Sequence, residues 1–218
     1  MYGTVGMKAI IFDFDGTLYD SRHFSFSLVF AAIRDIRFMK AERKVRKSLK
    51  GQDFGTGEAF WKVLFEEISR KTKKPVEKIR DWYKQRYMRT MIQVLHKKYP
   101  ARPLIPGLFK ALKDRGVKIV VYSDYPCVLE RMEAVGLSAE ARMCEKLCSV
   151  QDFGALKPAP RPFLKIAEEL AVSPEECLVV GDRKDTDGRG AALSGMKFLH
   201  ITGDADFYSL SETASQPF

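Results

Sequence analysis

Five short apolar runs, at 7–13, 117–122, 147–150, 177–180 and 197–201, constrain this chain most. After residue 107 they alternate with segments of helical pattern near 108–115, 128–135, 161–170 and 189–193. Strands alternating with helices specify an open, parallel α/β sheet with both faces covered. The run at 147–150 is the weakest of the five. The first run, MKAIIFD, ends in a carboxylate, as a buried parallel strand reaching a polar edge would.

The alternation is interrupted once. Residues 22–98 are rich in Lys, Glu, Arg, Leu and aromatics and hold no convincing strand. They read as several helices, broken near 51–57 and at Pro75, and followed by a linker marked by Pro100, Pro103 and Pro106. Charge makes the same division: residues 20–100 carry 21 Lys/Arg against 9 Asp/Glu, a net of +12, and the remainder nets −3. The expected organisation is an α/β core from 1–19 and 101–218 with a helical domain, 20–100, set into it.

The chain has 218 residues and a net charge of +9, a balance that suits nucleic acid, a membrane surface or a small anionic substrate. Its longest largely apolar stretch, 24–33, is far short of the ~20 residues that span a bilayer, so no membrane segment is expected. Four cysteines are too sparse for a disulfide framework, and no secretory signal is visible, so a cytoplasmic protein is expected. The polar end, 211–218, is expected to fray.

In open parallel sheets, ligands bind beyond the carboxyl ends of the strands. Here those ends carry Asp13-Phe14-Asp15-Gly16-Thr17, then Ser123-Asp124, then Gly181-Asp182 with Asp185 and Asp187 following, while Lys157-Pro158 precedes the helix after the third strand. Gathered carboxylates repel unless a cation compensates, and hard oxygen ligands beside a phosphate favour Mg²⁺. An anchored Asp can attack phosphorus, and a second carboxylate two residues on can protonate the leaving oxygen and later activate water. Ser123 and Lys157 suit the phosphoryl oxygens. Other motifs fail: Leu18 and Phe24 stand where an EF-hand needs Gly and Glu, there is no Walker lysine, and Gly188-Arg189-Gly190 lacks the third glycine of a dinucleotide loop.

Together, Asp13-Phe14-Asp15-Gly16-Thr17-Leu18, Ser123, Lys157-Pro158-Ala159-Pro160 and Gly181-Asp182 with Asp187 resemble the four motifs of the haloacid dehalogenase superfamily. The insertion after the first motif resembles the helical cap of its phosphoglycolate phosphatase and β-phosphoglucomutase group. The resemblance implies a Rossmann-like core with an inserted all-helical cap and a Mg²⁺-dependent phosphatase. It implies Asp13 as nucleophile, Asp15 as general acid/base, and Ser123 and Lys157 as phosphoryl-binding groups. Asp13, the main-chain carbonyl of Asp15, and Asp182 would bind Mg²⁺, with Asp187 close by. An acid at position 15 sorts the chain with phosphatases and phosphomutases rather than dehalogenases. The chain departs from the group at Asp124, where Asn is common, and at Arg161, where an acid is common.

Several residues have two readings. Asp187 fits the spacing of the second metal-site acid, and Asp185 is the alternative. Cys144 and Cys148 are read as packing rather than as a metal pair on a helix, and Cys127 as a core thiol near the site. His23 lies at the entrance to the insertion, as a hinge or a substrate contact. Phe60, Trp61, Phe65, Trp82 and Tyr83 are read as core between helices. The loop 51–57 resembles the group's specificity loop, with a plain turn as the alternative. A helix over 38–50 would place Phe38, Ala41, Val45 and Leu49 inward and Lys40, Arg43, Lys44, Arg46, Lys47 and Lys50 on a solvated face. The expected activity is hydrolysis of a small, anionic, phosphorylated metabolite. A sugar phosphomutase is the alternative, and a non-catalytic nucleic-acid-binding protein is the remote one.

Overall fold

The structure, a computed structural model, describes residues 6–208 and 210. The five apolar runs form five strands: β1 (Ala9–Phe12), β2 (Lys118–Ser123), β3 (Lys146–Ser149), β4 (Cys177–Gly181) and β5 (Lys197–His200). All pair in parallel, in the order β3-β2-β1-β4-β5. The chain builds outward from β1 to one side and then to the other, so β1 and β4 flank the topological switch point.

Side chains alternate between the two faces, and both faces are buried, which is why the runs read as continuous rather than alternating. Ile10, Phe12, Ile119, Val121, Leu178 and Val180 share one core, packed by Leu108, Phe109 and Leu112 of α6 (Ile105–Asp114) and by Val128 and Met132 of α7 (Val128–Ala134). Ala9, Ile11, Val120, Tyr122, Cys177 and Val179 form the other, beneath Phe163, Ile166 and Ala167 of α10 (Pro160–Glu169) and Ala191 of α11 (Arg189–Leu193). Two short helices that the sequence pattern did not separate, α8 (Ser138–Ala141) and α9 (Val150–Phe153), flank β3. Four residues are too few to show a period.

Between residues 24 and 98 lie several helices and no strand, as expected: α1 (Phe24–Ala31), a 3-10 turn at Ile33–Asp35, α2 (Ile36–Ser48), α3 (Gly57–Thr72), α4 (Val76–Trp82), a π-helical turn at Tyr83–Tyr87, and α5 (Met88–Lys98). Their interior is aromatic. Trp61 stacks on Phe65 at 5.4 Å between centroids, Tyr83 meets Trp61 at 5.1 Å, and Trp82 meets Tyr87 at 5.1 Å. The two crossings into this layer lie side by side, bridged at Tyr19 and Ala101, with the Arg102 guanidinium donating to the carbonyls of Thr17 and Gly16.

Some details differ from the sequence reading. Pro106 lies in the first turn of α6 rather than in the linker, a position where its missing N–H costs nothing. Cys144 precedes β3 and Cys148 is buried within it, so the two share no helix; all four cysteines are free thiols. On α2, Lys40, Arg43, Lys44 and Lys47 are exposed as expected, but Arg46 is buried; the helix ends at Ser48, before the expected 50, and Lys50 beyond it pairs with Asp185. The residues 211–218 lie outside the described residues. Among the described residues, no helix is long and apolar enough to cross a membrane.

Phe109 is fully buried and packs its ring 4.9 Å from that of Phe12, one residue before the polar edge. Phe109→Ala is expected to cost about 3–5 kcal/mol through lost contact and an unfilled cavity. Urea unfolding followed by circular dichroism would measure it, and a loss below ~1 kcal/mol would contradict the packing described.

Candidate active site

The strand register brings the motif residues to one edge. Phe12 is the last paired residue of β1, opposite Val121 and Val180, so Asp13 emerges where its N–H still donates to the Val180 carbonyl at 2.8 Å. Ser123 ends β2, and Asp182 follows β4 directly. A π-helical turn at Lys184–Gly188 widens the start of the next helix and carries Asp187 inward. Such turns recur at functional sites.

Lys157 stands at the centre. Its buried ammonium donates to Asp13 Oδ1 at 2.6 Å, Asp187 Oδ1 at 2.8 Å and the Tyr122 carbonyl at 2.9 Å. Its backbone N–H donates to Asp124 Oδ1 at 3.0 Å, so the acid in the usual place of Asn still serves as an acceptor. Burial opposes the ammonium charge, but Asp13 and Asp187 more than offset it and raise the Lys157 pKa. Burial likewise pushes the Asp13 carboxyl well up, with Lys157 opposing the shift.

Asp13, Asp182 and Asp187 present oxygens that all lie within 4.8 Å of one another. Burial, with the Asp187 and Asp15 charges, raises Asp182 to about 6. Its Oδ1 is buried with no hydrogen-bond partner among the described residues. Three converging carboxylates with an orphaned buried oxygen suit a hard divalent cation. Gly16 makes this approach possible: it has φ +85°, and a Cβ there would lie 2.2 Å from Asp182 Oδ2. A cleft of about 1030 Å³ opens beside Gly16 and Asp182, with His23, Arg102 and His200 in its wall. This places His23 on the lip of the cleft.

The Asp15 side chain stands apart from the three acids. Its Oδ1 accepts from the Tyr19 hydroxyl at 2.8 Å, and its Oδ2 accepts from Arg131 and, at 3.4 Å, from Ser123. Asp185 is on the surface, hydrogen-bonded to Arg183 and Lys50, which hold it down at about 2. The structure thus separates Asp187, inside the acidic group, from Asp185 outside it.

Sequence reasoning missed three contributors. Arg131, Tyr19 and Thr17, whose hydroxyl donates to Asp13 Oδ2 at 3.3 Å, all touch the two motif acids. Tyr19 and Thr17 were within sight, four residues from their partners; nothing local marks Arg131. The loop between α2 and α3 is more than a turn. Residues 52–54 pair along 154–156, and Arg161 binds Asp53 in a fork while reaching the carbonyls of Gly55 and Phe153. Arg161, unusual for its motif, therefore has a partner supplied by the insertion. Cys127 is half-buried and lines a separate cleft with Trp61 and Tyr83; burial pushes its thiol up.

Lys157→Met would leave Asp13 and Asp187 buried without their cation. With EDTA present, this substitution is expected to cost about 3–5 kcal/mol, measured by denaturant unfolding. Unchanged stability would contradict the buried-charge arrangement.

With this geometry in hand, comparison with known proteins identifies its kind. The chain is 29% identical over 202 residues to a phosphoglycolate phosphatase of Aquifex aeolicus, covering 88% of this chain and 83% of that protein. It is 29% identical over 205 residues to a glyceraldehyde 3-phosphate phosphatase of Methanopyrus kandleri, covering 89% and 84%. The fold is similar to that of a phosphatase from Thermococcus onnurineus, with a TM-score of 0.56, 21% identity, and coverage of 91% and 87%. The model of the haloacid dehalogenase-like hydrolases matches residues 7–195. The chain belongs to the haloacid dehalogenase-like hydrolase family.

Proposed function

We propose that this protein is a Mg²⁺-dependent phosphatase that hydrolyses a small phosphorylated metabolite through a phosphoryl group carried on Asp13. The convergence of Asp13, Asp182 and Asp187 around Lys157, at the switch point of the sheet, carries the reading. The curated relatives named as phosphatases support it.

Asp13, Asp182 and Asp187, with the Asp15 carbonyl, are the groups assigned to hold Mg²⁺. Once bound, the ion supplies positive charge against the carboxylates and the phosphoryl oxygens. Asp13 attacks phosphorus through a carboxylate oxygen, and the bond from phosphorus to the leaving oxygen breaks as Asp15 gives that oxygen a proton. Asp15 then takes a proton from water, whose oxygen attacks phosphorus and releases phosphate from Asp13. Ser123 and Lys157 hold the phosphoryl oxygens, their donors being at hand before the charge develops. Residues 20–100 serve as a cap over this edge, and the strap of 52–54 along 154–156 supports that assignment.

Asp13→Asn is expected to lower turnover by at least about a thousandfold with the fold intact, since the amide cannot act as nucleophile. Phosphate release assayed on a homogeneous, undeamidated variant tests this, and substantial hydrolysis would sink the nucleophile assignment. EDTA is expected to abolish activity, Mg²⁺ to restore it and Ca²⁺ to restore it poorly, because Ca²⁺ prefers more ligands and longer bonds. Turnover after exhaustive chelation would overturn the metal assignment. Isomerisation of a sugar phosphate without net phosphate release would favour the mutase alternative.

A further inference from the structure

We propose that Arg131 is a positioning residue of the phosphoryl site, one that fixes the direction of the Ser123 hydroxyl and the place of the Asp15 carboxylate. The inference rests on the assignment of Ser123 and Asp15 to phosphate binding and proton transfer. Arg131 lies on α7, fully buried, with its guanidinium 4.2 Å from the centre of the Phe14 ring. One prong, Nη1, donates to Ser123 Oγ at 2.9 Å and to the Tyr125 carbonyl at 3.3 Å. The other, Nη2, donates to Asp15 Oδ2. The two prongs therefore tie together side chains from the ends of β1 and β2.

Hydrogen accounting gives the tie a consequence. A serine hydroxyl has one proton and two lone pairs. Ser123 Oγ accepts from Arg131 and, at 3.1 Å, from the Tyr125 N–H, so both lone pairs are engaged. Only its proton is left to point outward. The acceptor it meets is Asp15 Oδ2 at 3.4 Å, long for a hydroxyl donor, so this contact yields readily to a phosphoryl oxygen. Arg131 thus commits Ser123 to donating. It also acts on Asp15: Arg131 holds one carboxylate oxygen while Tyr19 holds the other, which leaves the acid little freedom to turn. A lysine in this position has no planar fork with which to engage both partners. A buried guanidinium is costly to keep where an apolar side chain would pack, and its attachment to two motif residues gives a reason for its presence.

The test uses R131Q and R131K in the full chain with Mg²⁺, with an aryl phosphate as substrate and inorganic phosphate as inhibitor. R131Q is expected to lower kcat/KM by about 10- to 100-fold, the range seen for groups that orient a first layer of ligands, and to raise the phosphate inhibition constant. R131K is expected to lose less. In the S123A background, R131Q is expected to cost measurably less than in the wild type, because one of its two targets is already gone. A merely structural residue would reduce the folded, active fraction and leave KM and phosphate inhibition unchanged. That result overturns the proposal, as would losses that multiply independently of Ser123. If R131Q is recovered unfolded, the same comparison is read from R131K. A wild type without turnover would sink the phosphatase reading itself, and Arg131 would then be judged from phosphate affinity by calorimetry.

Discussion

The ammonium of Lys157 is the contact on which the rest of the site depends. Three acids cannot gather at a buried edge without a compensating charge, because each would raise the others' pKa. Lys157 reaches Asp13 from β1, Asp187 from the turn after β4, and the carbonyl of Tyr122 in β2. One cation thus joins three neighbouring strands where their backbone ladders end. The sheet brings these groups close, and Lys157 makes their closeness tolerable. Among the described residues, Asp182 Oδ1 finds no hydrogen-bond partner, so Lys157 does not satisfy the whole acidic group.

The two acids of the first motif are made different by what surrounds them. Asp13 is buried against an ammonium and the threonine hydroxyl of its own turn. Asp15, two residues on, faces away and is held by a guanidinium and a phenol. Burial and the Asp15 charge raise the Tyr19 pKa well above its usual value, so that hydroxyl keeps its proton and remains a donor. Similar side chains thus sit in contrasting environments, which is what the proposed division between nucleophile and proton carrier requires.

The insertion is joined to this edge by buried polar contacts as well as by its crossings. Arg46 of α2 pairs with the fully buried Glu42 at 2.6 Å, donates to the Tyr83 hydroxyl at 3.0 Å, and donates to the Asp124 carbonyl at 2.8 Å. It therefore links the aromatic interior of the helices to the loop that follows Ser123. The Asp53–Arg161 fork provides a second link, between the loop after α2 and the start of α10. Surface pairs such as Lys50–Asp185 add little stability alone, and here they mark where the two parts meet.

How much of this the amino-acid order determined by itself follows from the range of each interaction. The strands were legible because burial on both faces leaves a continuous apolar run, and the edge residues Asp13, Ser123 and Asp182 because each lies at the end of its run. Asp13, Asp15, Ser123, Lys157, Asp182 and Asp187 all come to that edge. Helical periodicity likewise marked the insertion, and placed Val45 and Leu49 inward. It misplaced Arg46, because a period states which side chains share a face and not what another element brings against that face. Arg131 is the same case: in sequence it is one cation amid a short helix, and only packing shows that it meets Asp15, 116 residues away. Spacing favoured Asp187 but left Asp185 open, since the π-helical turn that buries one and exposes the other is a property of the folded backbone. Local order determined which groups reach the edge. Tertiary structure decided their partners, because the cost of burying a charge depends on groups that lie far away along the chain.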